Sequence, residues 1–245
     1  MAAVTFIDST SNYANGTSVT VTAPTGIQND DLLVATVWCH DTSSKPTPPS
    51  GFTEITGAAH SLVADTSQRN YVWYKRASSE SGDYTFTIAN GSYQIVCAIA
   101  VFRSCLASGD PVDVISNTEY VISDSTIRAA SMTTTEPGCR IWWGYAIRAD
   151  TDLISTPSGW TTAEEISPGG TSPNYHCSLL AYQLDNDGVT KGSTGDVDGT
   201  LSGGSIQNKH AVMVEFKGTG GSQAITVNIS QDNTSIYAPG PVVIG

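Results

Sequence analysis

Short runs in which β-branched and aromatic residues alternate with polar ones recur from one end of the chain to the other, separated by clusters of Gly, Pro, Asn, Asp and Ser. A period of two turns one face of a strand toward a core and the other toward water, so the pattern predicts strands and turns. Clear cases are residues 18–22, 32–38, 71–74, 84–88 and 95–102. No window carries a sustained helical apolar period with a cap, which limits helix to a turn or two. The expected fold class is all-β.

The pattern repeats itself. Pro49-Ser50-Gly51-Phe52-Thr53 returns as Pro157-Ser158-Gly159-Trp160-Thr161, 108 residues later. The same offset, without a gap, lays Leu33, Ala35, Val37 and Cys39 on Ile141, Trp143, Tyr145 and Ile147, alternate positions expected to share one sheet face. It also lays Ser18-Val19 on Thr126-Ile127, and residues 71–74 on residues 179–182. Phe102 finds its counterpart in Phe216 at an offset of 114, so the second copy carries extra residues. The reading is two tandem, closely packed antiparallel β-sandwich repeats of jelly-roll-like scale, residues 1–108 and 109–218, with an extended C-terminal segment at 219–245. Either each copy closes its own sandwich or both contribute matching sheets to one larger sandwich with approximate two-fold symmetry. The short joint at residues 104–111 favours two closely packed halves.

In both copies the Pro-Ser-Gly-aromatic run reads as a turn followed by an anchor. Proline pre-sets φ, Gly51 and Gly159 take a positive φ, and Phe52 and Trp160 drop into a core. Beyond Gly218 the repeat ends in a Gly-rich joint and one further strand at residues 224–229. Ile225, Val227, Ile229 and Tyr237 are the candidate contacts of an assembly tail that adds to a neighbour's sheet.

Composition then narrows the partners. Eleven Lys+Arg face 23 Asp+Glu, for a formal net charge of −12, and only 14% of residues are charged. With no basic cluster, a nucleic-acid backbone or an anionic membrane is not an expected partner. The N-terminal residues 1–8 show no basic region or long apolar run of the kind that marks a signal peptide, so synthesis in a cytoplasm is expected. Cys39, Cys97, Cys105, Cys139 and Cys177 are odd in number and form no CxxC pair, and are expected as free, mostly buried thiols.

The familiar catalytic signatures do not occur in the sequence. His40, His60, His176 and His210 are scattered, and His210, inside an apolar strand pattern, reads as a core or edge histidine. Glu54, Glu164, Glu165, Asp65 and Asp113 are carboxylates that nothing in the sequence pairs for glycosidic chemistry. The runs beginning at Asp185 and Asp196 are oxygen-rich. Solvated surface loops are favoured over a Ca²⁺ site at Asp185 and Asp187, so no cofactor or metal is expected. Among the tryptophans, Trp73, Trp143 and Trp160 fall on core or anchor positions. Trp38 and Trp142 fall on the opposite strand face and are the candidates for stacking on a sugar ring, against a competing role in packing.

The order Asp31-Leu32-Leu33-Val34, Pro48 to Thr53, Val72 to Ala77, Tyr84 to Thr87, Val101-Phe102-Arg103 and Asp110 to Val114 resembles a group of tailed-bacteriophage structural proteins. The second half continues it with Glu136-Pro137-Gly138, Thr156 to Thr161 and Val212 to Lys217, so the resemblance spans about residues 15–217. It implies a non-enzymatic virion component, a decoration or cement protein or a fibre module, assembled in the host cytoplasm. The implied partners are other virion proteins, with further copies of the chain in the particle. The alternative is a carbohydrate- or host-receptor-binding module of a tail fibre, with a glycan as partner.

Overall fold

Alternation of apolar and polar positions is realised as strands throughout the described residues, which in this computed structural model are 4–40, 45–58, 60–61, 68–116, 125–136, 138–148, 153–167, 175–184, 192–202 and 208–219. Asp185, Asp187, Ile225, Val227, Ile229 and Tyr237 lie outside them. The fold is all-β, and every strand pairing among the described residues is antiparallel. One sheet holds β1 (Thr5–Val21), β6 (Tyr84–Arg103), β2 (Leu32–His40), β5 (Gln68–Arg76) and β3 (Thr53–Glu54) in that order, with β4 (His60–Ser61) also on β5. A second holds β7 (Val112–Ile115), β13 (Asn208–Lys217), β9 (Gly138–Arg148), β11 (Tyr175–Leu184) and β10 (Thr161–Ile166). β8 (Thr126–Ala129) and β12 (Val197–Thr200) form a separate two-stranded ribbon.

The two large sheets run through their strands in the same sequence, outermost β1 matching β7 and outermost β3 matching β10. Their registers give the correspondence strand by strand. β5 maps onto β11 with Tyr74 on Tyr182, and β6 onto β13 with Phe102 on Phe216, at offsets of 108 and 114. Val34 pairs with Tyr74 and Ala100 as Ile141 pairs with Tyr182 and Val214, which places β2 on β9 at an offset of 107. The gap-free offset of 108 is therefore wrong by one residue in this strand. Leu33, Ala35, Val37 and Cys39 lie in one apolar cluster, whereas Ile141, Trp143 and Tyr145 lie in another, on the opposite sheet face. A slip of one exchanges the two faces of a strand, and both faces of β2 and β9 are apolar, so alternation alone does not fix the register.

The cores explain the layering. The largest cluster joins Leu32, Val34, Trp38, Val72 and Phe102 of the first sheet to Ile141, Trp143, Tyr145, Leu180 and Phe216 of the second, so the sheets pack face to face around one shared core. Within it Phe6 stacks on Tyr182 with centroids 4.3 Å apart, and Trp143 Nε1 donates to Asn70 Oδ1 at 2.8 Å. Each outer face is covered by a ribbon. On the first sheet, β1 and β6 bend back together, with register shifts on either side of Gly16, bringing Val19, Val21, Tyr84 and Phe86 over Leu33, Ala35, Trp73 and Cys97. On the second, Ile127, Ala129 and Val197 of β8 and β12 cover Trp142, Leu179, Ala181 and Met213. Each large sheet thus has a ribbon-covered outer core, and the two sheets share a third core between them.

The joint is fastened rather than free. Leu106 N donates to Lys217 O at 2.7 Å, Thr219 N to Ser104 O at 2.9 Å, and Lys217 N to Pro111 O at 2.8 Å, pinning residues 104–111 to the end of β13.

Candidate functional site

Strand alternation sends Arg140 of β9, Glu215 of β13 and Gln183 of β11 to the outer face of the second sheet, where register places them side by side in one row. Arg140 Nε donates to Glu215 Oε2 at 2.8 Å, and both residues are buried. Removing two charges from water costs several kcal/mol each, and their attraction offsets that only with good geometry. In the first copy the corresponding row is Lys75, Leu33 and Val101, so an apolar pair stands where the ion pair stands in the second.

Above this row opens a cleft of about 400 Å³. One wall is the turn carrying Pro157, Ser158 and Trp160, where Gly159 sits at φ +80° and Trp160 N donates to Pro157 O at 3.1 Å. The other wall is the run from Gly192 into β12, with Ser193, Thr194, Asp196 and Asp198. Arg128 holds that wall: its Nε and Nη2 each donate to a carboxylate oxygen of Asp198 at 2.8 Å, and its Nη1 lies 3.5 Å from Asp196 Oδ2. Ser131 N donates to Asp196 Oδ1 at 3.0 Å. Trp160 packs against the outer core while remaining partly exposed at the cleft.

The same place in the first copy is filled. Phe52, the counterpart of Trp160, packs edge-on against Tyr84 and Phe86 with centroids 5.7 and 5.6 Å away. Lys75 Nζ lies over both Phe52 and Tyr84, and Glu80 accepts from Lys75 Nζ at 2.8 Å and from Tyr84 Oη at 2.9 Å. Burial and then the Glu80 carboxylate raise the Tyr84 phenol above its ordinary value. Burial acts to raise Glu80, but the hydrogen bonds from Lys75, Ser78 and Tyr84 outweigh it and hold its carboxyl low. In the second copy, register puts Val197 and Gly199 where the first has Tyr84 and Phe86. The space of Phe86 is taken by the Trp142 ring, which lies against Gly199, whereas Val197 in the place of Tyr84 lines the cleft.

The residues singled out by sequence are distributed differently. Trp38 and Trp142 are both 0% exposed, Trp38 in the shared core and Trp142 in the outer core, so neither presents a face to a sugar; both strand faces are covered. All five cysteines are buried thiols outside any disulfide, with Cys105 and Cys139 sulfurs 3.8 Å apart. His210 is buried, its ring 5.5 Å from that of Tyr145. Ser178, Tyr145 and His210 form a row across three strands. Of the carboxylates, Glu54 pairs with Lys45 and Glu164 accepts from Ser9 and Ser11, both at 2.7 Å. Asp113 accepts from Thr135 N at 2.7 Å and Glu136 N at 3.1 Å. Glu165 is exposed on β10, and the side chains of His40, His60, Asp65 and His176 lie outside the description.

Sequence reasoning passed over Arg140 and Glu215, and assigned Trp160 to anchoring alone. The signal was present as one basic and one acidic residue, each inside an otherwise apolar strand run. Strands buried on both faces carry such charges only when they are paired. No protein-family model, curated protein or solved structure matches the chain.

Proposed function

We propose that the chain is a non-enzymatic structural component of a tailed-bacteriophage particle, displayed on the head or tail surface and held there by contacts with neighbouring virion proteins. The observation that supports this reading best is the core shared by the two large sheets. It fixes the copies relative to one another as one stiff block, which suits a part that bears load or carries spacing in a particle. The outward residues of β1, rich in Ser, Thr and Asn, fit a surface made for polar packing with neighbours. In this reading residues 219–245 supply the attachment by strand addition.

The test is incorporation. Particles assembled with a tagged full-length chain, purified by density and imaged with a label against the tag, are expected to carry it at regular positions. A chain ending at Gly218 is expected to stay soluble and off the particle. A full-length chain that never co-purifies with particles contradicts the proposal, and undiminished incorporation of the shortened chain removes the tail from it.

A further inference from the structure

We infer that the cleft on the second copy is a binding subsite for one ring of a neutral saccharide, with Trp160 as the apolar wall and the surrounding polar side chains as the hydroxyl-reading groups. The inference is independent of where the protein resides.

Charge selects the ligand class. Of the lining charges, Arg140 is paired with Glu215 behind it and Asp196 and Asp198 with Arg128 behind them, so the site is close to neutral and slightly acidic. An anion finds no uncompensated cation there. A divalent metal would need several free oxygen ligands, whereas Asp198 gives both of its oxygens to Arg128. An apolar ligand is disfavoured by a lining made mostly of hydroxyl, amide and carboxylate groups. What remains is an uncharged molecule that both donates and accepts hydrogen bonds and has one apolar face. A sugar ring has this combination: its hydroxyls do both, and its axial C–H groups make a face that packs on an aromatic ring.

The site is also built to stay open. A volume of about 400 Å³ falls in the range of small-ligand sites. Its floor carries Arg140, held by the buried Glu215 of the next strand, and its acidic wall is pinned by the two-pronged Arg128 contact, so the polar groups are set before a ligand arrives. The first copy serves as an internal comparison. There Phe52 is closed in by Tyr84, Phe86 and Lys75, and Leu33 and Val101 stand in place of the ion pair. Simple packing therefore had an available solution at this position, and the second copy departs from it at several residues at once, with Arg140 and Glu215 in place of Leu33 and Val101 and the smaller Val197 in place of Tyr84.

The experiment is saturation-transfer NMR on the full chain with glucose, galactose, N-acetylglucosamine, lactose and cellobiose as probes. At least one is expected to show saturable transfer. Ser158→Arg, at the exposed turn, fills the cleft, and Asp196→Asn keeps its shape while removing a charged acceptor. Each is expected to weaken that response by about tenfold or more, with near-ultraviolet circular dichroism unchanged. The anion citrate is expected not to compete. Absence of transfer with every probe overturns the inference, as does a response that both variants leave intact or that citrate displaces.

Discussion

Arg140 and Glu215 occupy positions that the first copy fills with Leu33 and Val101, so the molecule itself supplies the apolar replacement. Exchanging a buried pair for well-packed apolar residues is often neutral or stabilising, while removing one partner leaves a buried charge and costs about 3–5 kcal/mol. The double variant Arg140→Leu with Glu215→Val is thus expected to match or exceed the parent in urea unfolding, and Glu215→Val alone to fall well below it. A single variant as stable as the parent would mean that the pair contributes nothing to stability. Acid sensitivity is set by a different carboxylate. Burial acts to raise Asp113, but hydrogen bonds from Thr135 and Glu136 and the charge of Lys217 outweigh it, holding it below the ordinary 3.8. A depressed carboxyl contributes its stabilisation above the unfolded value and loses it as pH falls through the folded one. The melting temperature should therefore drop as pH is taken below about 4, and Asp113→Asn should flatten that drop while lowering stability at pH 7. An unchanged slope would assign the acid sensitivity to other groups, such as Asp8, which the hydroxyl and backbone N–H of Thr25 lower in the same way.

At the scale of strands and ribbons, packing between layers turns on complementary sizes. A Cβ added at Gly144 would stand 2.2 Å from the Trp142 ring and one at Gly199 2.6 Å, so the indole lies where two side chains would otherwise be. In the first copy the matching pair is reversed, with small Ala35 on the sheet and large Phe86 on the ribbon. Gly144→Ala and Gly199→Ala are each expected to destabilise by about 1–3 kcal/mol through overpacking, measured by chemical denaturation. Gly199→Phe should be tolerated better when combined with Trp142→Ala. If Gly199→Ala is neutral, the ribbon can shift without loss and does not fix the indole. Much of this was readable in the sequence. The strands follow from alternation, and the positive φ at Gly51 and Gly159 follows from the turn. The face assignment of β2 against β9 did not, because strands apolar on both sides carry no phase and the spacing differs from that of the neighbouring strands by one residue. The cleft was hidden for another reason. Its parts are separated in sequence, Arg140 from Glu215 by 75 residues and Arg128 from Asp198 by 70, and only register brings them together.

Across the whole molecule, the shared core decides how the chain behaves. Neither large sheet can expose Trp38, Phe102, Trp143 or Phe216 to water without losing the burial of its inner face, worth roughly 1.5–3 kcal/mol for each large apolar side chain. Trp143 would also lose its hydrogen bond to Asn70. The two copies are therefore one folding unit although the sequence repeats, and the stiffness proposed for a particle component rests on that unity. The direct measurement is thermal unfolding of the full chain by calorimetry, followed in parallel by tryptophan emission and far-ultraviolet circular dichroism. A shared core predicts coincident curves and one transition whose calorimetric and van't Hoff enthalpies agree. Two separated transitions, one for each copy, would contradict it.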